Sequence, residues 1–315
     1  MSLLVVGSVA LDSVETPFGA REEVLGGSAT YFSAAASLLT KVAVVGVVGE
    51  DFALEQLEFL QKRGVSLAGL ERVPGRTFRW KGRYGFDLNA AQTLDTQLNV
   101  FERFQPKLNA EERKADRIFL GNIDPELQLR VLDQVSRPKL VCADTMNYWI
   151  ESKRQALEKL LPRVDVLMVN DGEARQLAGE SNIIRAAAAI LKMGAKAVVI
   201  KRGEYGALLC AQGESFFAPA YPLADVVDPT GAGDSFAGGF LGLLDRLGQP
   251  AAPDRLGQKR LQALRQAVVM GCTIASFTVE RFSLDRLREL ELTEIRSRFA
   301  AFRDLVHFEG LGEAF

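Results

Sequence analysis

Histidine is almost missing from this 315-residue chain, which holds a single one, His307, near its end. Mechanisms that need an imidazole base, or several imidazoles around a metal, are therefore disfavoured, and acid–base work falls to carboxylates. Cysteine is scarce as well. Cys142, Cys210 and Cys272 stand far apart in apolar surroundings, and no Cys-x-x-Cys occurs. That pattern signals neither a zinc ribbon nor a redox pair, so buried free thiols in a reducing cytoplasm are expected. Long apolar runs are lacking too: none approaches the roughly eighteen residues that span a bilayer. Leu3–Val6 gives way at once to Gly7-Ser8 and soon to Asp12, with no basic region before it. It reads as a first strand, not a signal peptide. Neither sign of charge is in excess, since 38 Lys and Arg face 40 Asp and Glu. The balance gives no general reason to expect nucleic acid or a membrane as partner.

What is present suits one large α/β domain spanning residues 1–315. Short β-branched runs at 3–7, 42–48, 118–121, 139–143, 165–170 and 197–201 read as buried strands. Helical patterns fall between them at 29–39, 53–63, 126–135, 151–161 and 183–193. The spacing of Leu54, Leu57 and Leu60, stopped by Gly64, illustrates the helical period and its glycine end. Such alternation argues for a mostly parallel central sheet flanked by helices on both faces. From about 64 to 101 the rhythm breaks into polar, aromatic, strand-like sequence, which is expected to form an inserted β lid. Within it Arg72, Arg76, Arg79, Lys81 and Arg83 occur without one acidic residue between 72 and 83. Two readings stay open there: a solvated face of edge strands, or a lid whose positive charge faces an anionic substrate or product.

The densest signal is Asp228-Pro229-Thr230-Gly231-Ala232-Gly233-Asp234-Ser235-Phe236-Ala237-Gly238-Gly239-Phe240. Its glycines let backbone come close to a ligand with N–H groups outward. The small-residue helix that follows adds unpaired N–H groups and the positive end of a dipole, which suit a phosphate. Asp234 then stands beside the anion as candidate base, with Gly231, Ala232 and Gly233 as a backbone anion hole. Other motifs sit where predicted strands end, as ligand sites do in open α/β sheets. Asp12 follows the first strand, either as a ligand carboxylate or as a turn residue. Gly26-Gly27 precedes a helix, either to admit a ligand or simply to turn the chain. Asn170 and Glu173 open another helix, where they can form a capping box. Lys201 begins the turn Lys201-Arg202-Gly203-Glu204-Tyr205-Gly206, whose two glycines suit a hairpin or a nucleotide edge.

The string at 228–240 resembles the C-terminal signature of the ribokinase-like (PfkB-type) carbohydrate and nucleoside kinases. The resemblance runs from Gly7 to about Val279, and it implies a ribokinase-like α/β fold with a small β lid, sometimes a dimer interface. It implies an ATP-dependent phosphotransferase acting on a hydroxymethyl group, with Mg²⁺ held indirectly through Glu173 and, as in many relatives, a monovalent cation such as K⁺. The acceptor expected is a sugar or sugar derivative, with a nucleoside as the alternative. Under this resemblance Asp12, Gly26 and Gly27 hold the acceptor, and Asn170, Glu173, Lys201, Gly203 and Gly206 border the nucleotide. Asp228 and Thr230 resemble positions that bind a monovalent cation, and 267–279 lies where the adenine pocket is lined. One position departs: Tyr31 stands where many members carry a sugar-binding Asn, and it is expected against the acceptor or under the lid. Asp144-Thr145-Met146-Asn147 lacks the Pro and Arg of the family's motif there, and no role is carried over to it.

Rival classes fare worse. A dinucleotide-binding turn would need an early strand and a third glycine where Phe236 stands, and a P-loop would need Gly-Lys-Ser/Thr. A ligand-binding regulator that kept the fold but lost turnover is opposed by the intact Asp234.

Overall fold

The computed structural model describes residues 3–211, 213–248 and 258–307. Its strands are β1 (Leu3–Val6), β2 (Ala10–Thr16), β3 (Gly19–Gly26), β4 (Val42–Gly49), β5 (Ser66–Val73), β6 (Phe78–Tyr84) and β7 (Ala91–Gln97). They continue with β8 (Arg117–Leu120), β9 (Leu140–Asp144), β10 (Val166–Asn170), β11 (Ala197–Lys201), β12 (Ala207–Ala211) and β13 (Glu214–Ala218). Nine form one sheet in the order β13-β12-β11-β10-β9-β8-β1-β4-β5, and four form a second in the order β3-β2-β6-β7. In the large sheet, β5 through β11 run parallel, while β12 and β13 return antiparallel at one edge. All six strands anticipated from β-branched runs are present within a residue or so of their expected ends.

The alternation of side chains along β1 and β4 divides the core. Leu3, Val5, Val42 and Val44 point to one face and Leu4, Val6, Ala43 and Val45 to the other. Helices Ser28–Ala36, Ala232–Arg246 and Gln258–Thr278 cover the first face; Pro125–Gln134, Arg154–Leu160, Asp171–Ala178 and Ile183–Lys192 cover the second. Both faces of the sheet are therefore dry, which is why its strands read as unbroken apolar runs. The three cysteines are free thiols buried in this core. Among the described residues no helix is long and apolar enough to cross a membrane.

The direction of chain progression reverses between β1 and β8, since β4 and β5 add on one side and β8 to β11 on the other. That switch point opens a crevice beyond the strands' carboxyl ends. Gly7 and Gly121 follow the two strands, and a Cβ on either would lie 2.6 or 2.8 Å from Ser28 Oγ, so a hydroxyl plugs the base of the crevice.

The small sheet is put together differently from the expected insertion at 64–101. Residues 66–73 belong to the edge of the large sheet, as β5 beside β4. Half of the small sheet comes instead from the β2–β3 hairpin at 10–26. The cause is legible in the side chains. Edge strand β5 is exposed along one side and β3 carries Arg21, Glu22 and Glu23 in the open, so neither shows a buried strand's apolar run.

Candidate active site

Asp228 organises the turn that enters the Ala232–Arg246 helix. Its carboxylate, 1% exposed, accepts the Thr230 N–H at Oδ1 (2.9 Å) and the Ser283 N–H at Oδ2 (3.0 Å). The Ala232 N–H donates to the Pro229 carbonyl at 3.1 Å, and the Ser235 N–H to that of Gly231 at 2.9 Å. The N–H groups of Gly231, Gly233 and Asp234 find no acceptor among the described residues, the ordinary condition of a helix start. The expected trio of Gly231, Ala232 and Gly233 is corrected at one position. Ala232 spends its N–H closing the turn, and that of Asp234 is available instead.

Gly231 is a position where glycine is required. Its φ is 74°, and a Cβ there would sit 2.3 Å from the Tyr31 ring. The Tyr31 ring itself is 1% exposed and packs against this turn, where it supports Gly231. Ser283 joins the same support: its Oγ donates to the Leu25 carbonyl at 2.6 Å and its N–H holds Asp228. Sequence reading missed Ser283, and its left-handed backbone (φ 54°) carries no glycine that would have marked it.

Asp234, half-buried in the first turn, shares the mouth of the crevice with Asp144, Glu173 and Lys201. Burial pushes the Asp234 carboxyl up to about 7; the Asp144 charge adds to this and Lys201 opposes it. Lys201 Nζ donates to Asp144 Oδ2 at 2.7 Å and lies 3.0 Å from where a Cβ on Gly233 would be. Burial works against the Lys201 ammonium, but Asp144, Glu173 and Asp234 outweigh it and hold the group above its usual range. Asp144 was left without a role in the sequence, although the predicted strand end at 143 set it at the carboxyl edge of the sheet.

Asn170 and Glu173 form a full capping box. Asn170 Oδ1 accepts the Glu173 N–H at 2.8 Å, and Glu173 Oε2 accepts that of Asn170 at 2.7 Å. The other carboxylate oxygen of Glu173 takes no hydrogen bond from described residues, and burial, then Asp144, raises this carboxyl to about 7. Among the described residues no three His, Cys, Asp or Glu side chains are grouped to hold a metal directly. That donor set fits Mg²⁺, which keeps most of its waters and needs one or two carboxylates besides substrate phosphates.

On the acceptor side, Asp12 is 5% exposed and its carboxyl is raised to about 7, chiefly by burial, with the Gly27 N–H opposing and Asp228 and Asp234 adding. Gly26 is bare because a Cβ would fall 1.9 Å from Asp12 Oδ2, and Gly27 (φ 94°) because one would fall 2.5 Å from the Ser8 carbonyl. Strand β2 pairs in register with β6, Asp12 opposite Trp80 and Val14 opposite Gly82, so these side chains share the crevice face. Trp80 lies over Gly82, its Nε1–H on Thr93 Oγ1 at 3.2 Å. Tyr84, two residues on, lies 3.3 Å from Thr230 Oγ1 through its hydroxyl. Arg79, Lys81 and Arg83 alternate onto the opposite face. There Arg79 pairs with Glu23 (2.7 Å) and Asp51 (2.9 Å), and Arg83 with Glu15 (2.9 Å). The two arginines of β6 are thus paired on the outer face and do not form a charged ceiling over the crevice.

The Lys201–Gly206 turn ends in a tight hairpin. Gly206 (φ 84°) packs so closely that a Cβ would lie 2.0 Å from the Ala218 carbonyl. Gly203 receives the tip of the small sheet: Asn89 Oδ1 would be 2.3 Å from its Cβ, and Asn89 Nδ2 donates to Glu204 Oε1 at 2.9 Å.

Residues 3–287 match the family described as pfkB family carbohydrate kinase. A cytidine kinase of Thermococcus kodakarensis is 32% identical over 82% of this chain and 94% of its own length. A 2-dehydro-3-deoxygluconokinase of Dickeya dadantii is 30% identical over 70% of this chain and 79% of its own. Among solved structures, a Burkholderia thailandensis nucleoside kinase in complex with inosine superposes with a TM-score of 0.76 at 20% identity, over 95% of this chain and 97% of that one. A putative ribokinase II of E. coli in complex with ATP and Mg²⁺ gives 0.74 at 21% identity, over 95% and 99%. With a ribokinase-like sheet and a family match over nearly its whole length, this chain belongs to the pfkB family of kinases.

Proposed function

We propose that this chain moves the γ-phosphoryl group of ATP onto the hydroxymethyl group of a nucleoside. The observation that carries the phosphoryl-transfer part is the meeting, at one helix start, of unspent N–H groups with the Asp234 carboxylate. Asp234 takes the acceptor's hydroxyl proton as that oxygen attacks the γ-phosphorus. The new P–O bond forms as the bond to the β-phosphate oxygen breaks; the electron pair stays on that oxygen and ADP leaves. The N–H groups of Gly231, Gly233 and Asp234 stabilise charge on the transferring group, as preorganised donors do. Bound Mg²⁺ would neutralise phosphate charge, with Glu173 in its outer shell. Asp228 and Thr230 offer carboxylate and hydroxyl oxygens beside the turn, a donor set suited to a hard monovalent cation such as K⁺.

The nucleoside is preferred to the free sugar for a physical reason. The crevice face of the small sheet presents aromatic Trp80 and Tyr84, and its arginines are paired elsewhere. Such a face suits a flat, uncharged base above a ribose whose hydroxyls reach Asp12. The small sheet would act as the lid that excludes water, which competes as acceptor. A free sugar or sugar acid is the second reading, favoured by the likeness to the Dickeya enzyme. ADP release measured over pyrimidine and purine nucleosides, pentoses, hexoses and sugar acids tests both. Turnover confined to sugars would remove the nucleoside, and ligand-dependent stabilisation with no ADP from any acceptor would leave a binding protein.

A further inference from the structure

The ammonium of Lys201 is poised for more than an ion pair. It lies at the carboxyl end of β11, only 17% exposed, and of its three N–H donors one is spent, on Asp144 Oδ2 at 2.7 Å. No other acceptor for it is found among the described residues. A largely covered ammonium with two donors that meet no acceptor among the described residues has them free for a ligand. Those donors are beside Gly233, whose Cβ position is 3.0 Å from Nζ, hence beside the helix start with its unspent N–H groups. Charge points the same way. Asp144, Glu173 and Asp234 all act on this lysine and hold its proton more tightly than usual, which keeps a cation beside the helix start.

We infer that Lys201 is a catalytic residue that donates to the oxygens of the migrating phosphoryl group, and that Asp144 is a positioning residue holding the ammonium at the Gly233 mouth. This rests on the kinase reading above. With one N–H anchored to Asp144, the other two can follow the phosphoryl oxygens as charge builds on them. A fixed donor aimed at developing charge works this way.

The test separates binding of a phosphoryl mimic from binding of the product nucleotide. ADP, and ADP with Mg²⁺, aluminium fluoride and the acceptor that the wild type turns over, are titrated by calorimetry against wild type, Lys201→Met, Lys201→Arg, Asp144→Asn and the double Asp144→Asn/Lys201→Met. Lys201→Met is expected to weaken the aluminium fluoride complex about 10²–10³-fold, the scale of one lost preorganised donor, and ADP alone about threefold or less. Turnover should fall with the fluoride complex, and Lys201→Arg should restore part of both. The double variant removes the pair together and leaves no unanswered ammonium, so its fold is protected. Affinity for the fluoride complex that stays low in the double variant supports the inference. Recovery in the double variant, or equal losses for ADP and the fluoride complex, would overturn it and leave a structural ion pair. A wild type that binds ADP but gains nothing from fluoride and shows no turnover would instead overturn the kinase reading.

Discussion

The Gly231 turn and the small sheet face each other across one crevice but are built in opposite ways. The turn is local: Asp228, Gly231 and Asp234 lie within seven consecutive residues, and their geometry follows from a tight turn entering a helix. The small sheet joins two hairpins about sixty residues apart, and its crevice face exists only once β2 lies beside β6. The N–H groups and carboxylate proposed for phosphoryl transfer thus sit on neighbours in sequence, whereas the face proposed for the acceptor depends on pairing between distant segments. The difference teaches where to look for the reaction and where to look for its substrate.

Breaking the turn should have the largest effects. Asp234→Asn is expected to lower turnover by about 10²–10⁴, the usual scale for a general base, with ATP affinity retained; steady-state kinetics beside calorimetry would check it, and near-normal turnover would remove Asp234 from the role. Gly231→Ala comes next, because it combines a left-handed backbone with a Cβ 2.3 Å from the Tyr31 ring. It should lower both turnover and thermal stability, and the double Gly231→Ala/Tyr31→Ala should recover part of the stability by opening that space.

Changes in the small sheet should sharpen the contrast by acting on affinity. Trp80→Ala should raise KM for the acceptor by roughly 5- to 150-fold, the equivalent of one lost base–aromatic stack at about 1–3 kcal/mol, with kcat nearly kept. A loss confined to kcat would place Trp80 with the turn instead. Arg83→Ala, on the outer face and paired only with exposed Glu15, should change either constant by less than about twofold.

The carboxyls give a pH signature that belongs to the turn and the crevice floor. As the proposed base Asp234 would act deprotonated, so the acid limb of the rate profile should fall near 7, well above an ordinary carboxylate. Stability should move the other way. Asp12, Glu173 and Asp234 are raised from 3.8 or 4.5 to about 7, so the folded state holds these protons more tightly than the unfolded one. Their stabilising contribution is present at low pH and is lost as pH rises from about 4 through about 7. Melting of the ligand-free protein should therefore be a few degrees higher at pH 6 than at pH 8, and Asp12→Asn should shrink that gap. A melting temperature that climbs with pH across this window would contradict the buried-carboxylate account.

Much of this was readable in advance, for reasons that differ from place to place. The parallel strands announce themselves because both faces of the large sheet are dry. The signature turn does so because glycine, a carboxylate and small helical residues are each required there. The alternation Arg79-Trp80-Lys81-Gly82-Arg83-Tyr84 was equally plain, yet it could not say which parity faces inward. Asp144 was visible at a strand end, but nothing local showed that Lys201, fifty-seven residues later, would reach it. Tyr31 read as an acceptor contact or a filler under the lid from the family pattern alone, which could not show that the folded ring backs onto Gly231, two hundred residues away. Ser283 had no local mark at all.

The linear order of residues alone determined the strand-and-helix alternation, the phosphate-suited turn and the carboxylate beside it, because each depends on backbone geometry and neighbours within a few positions. Tertiary structure decided which N–H groups stay unspent, which face of the small sheet turns to the crevice, and which carboxylates surround Lys201. Those outcomes depend on burial and on charges brought together from distant segments, and both arise only when the chain has closed on itself.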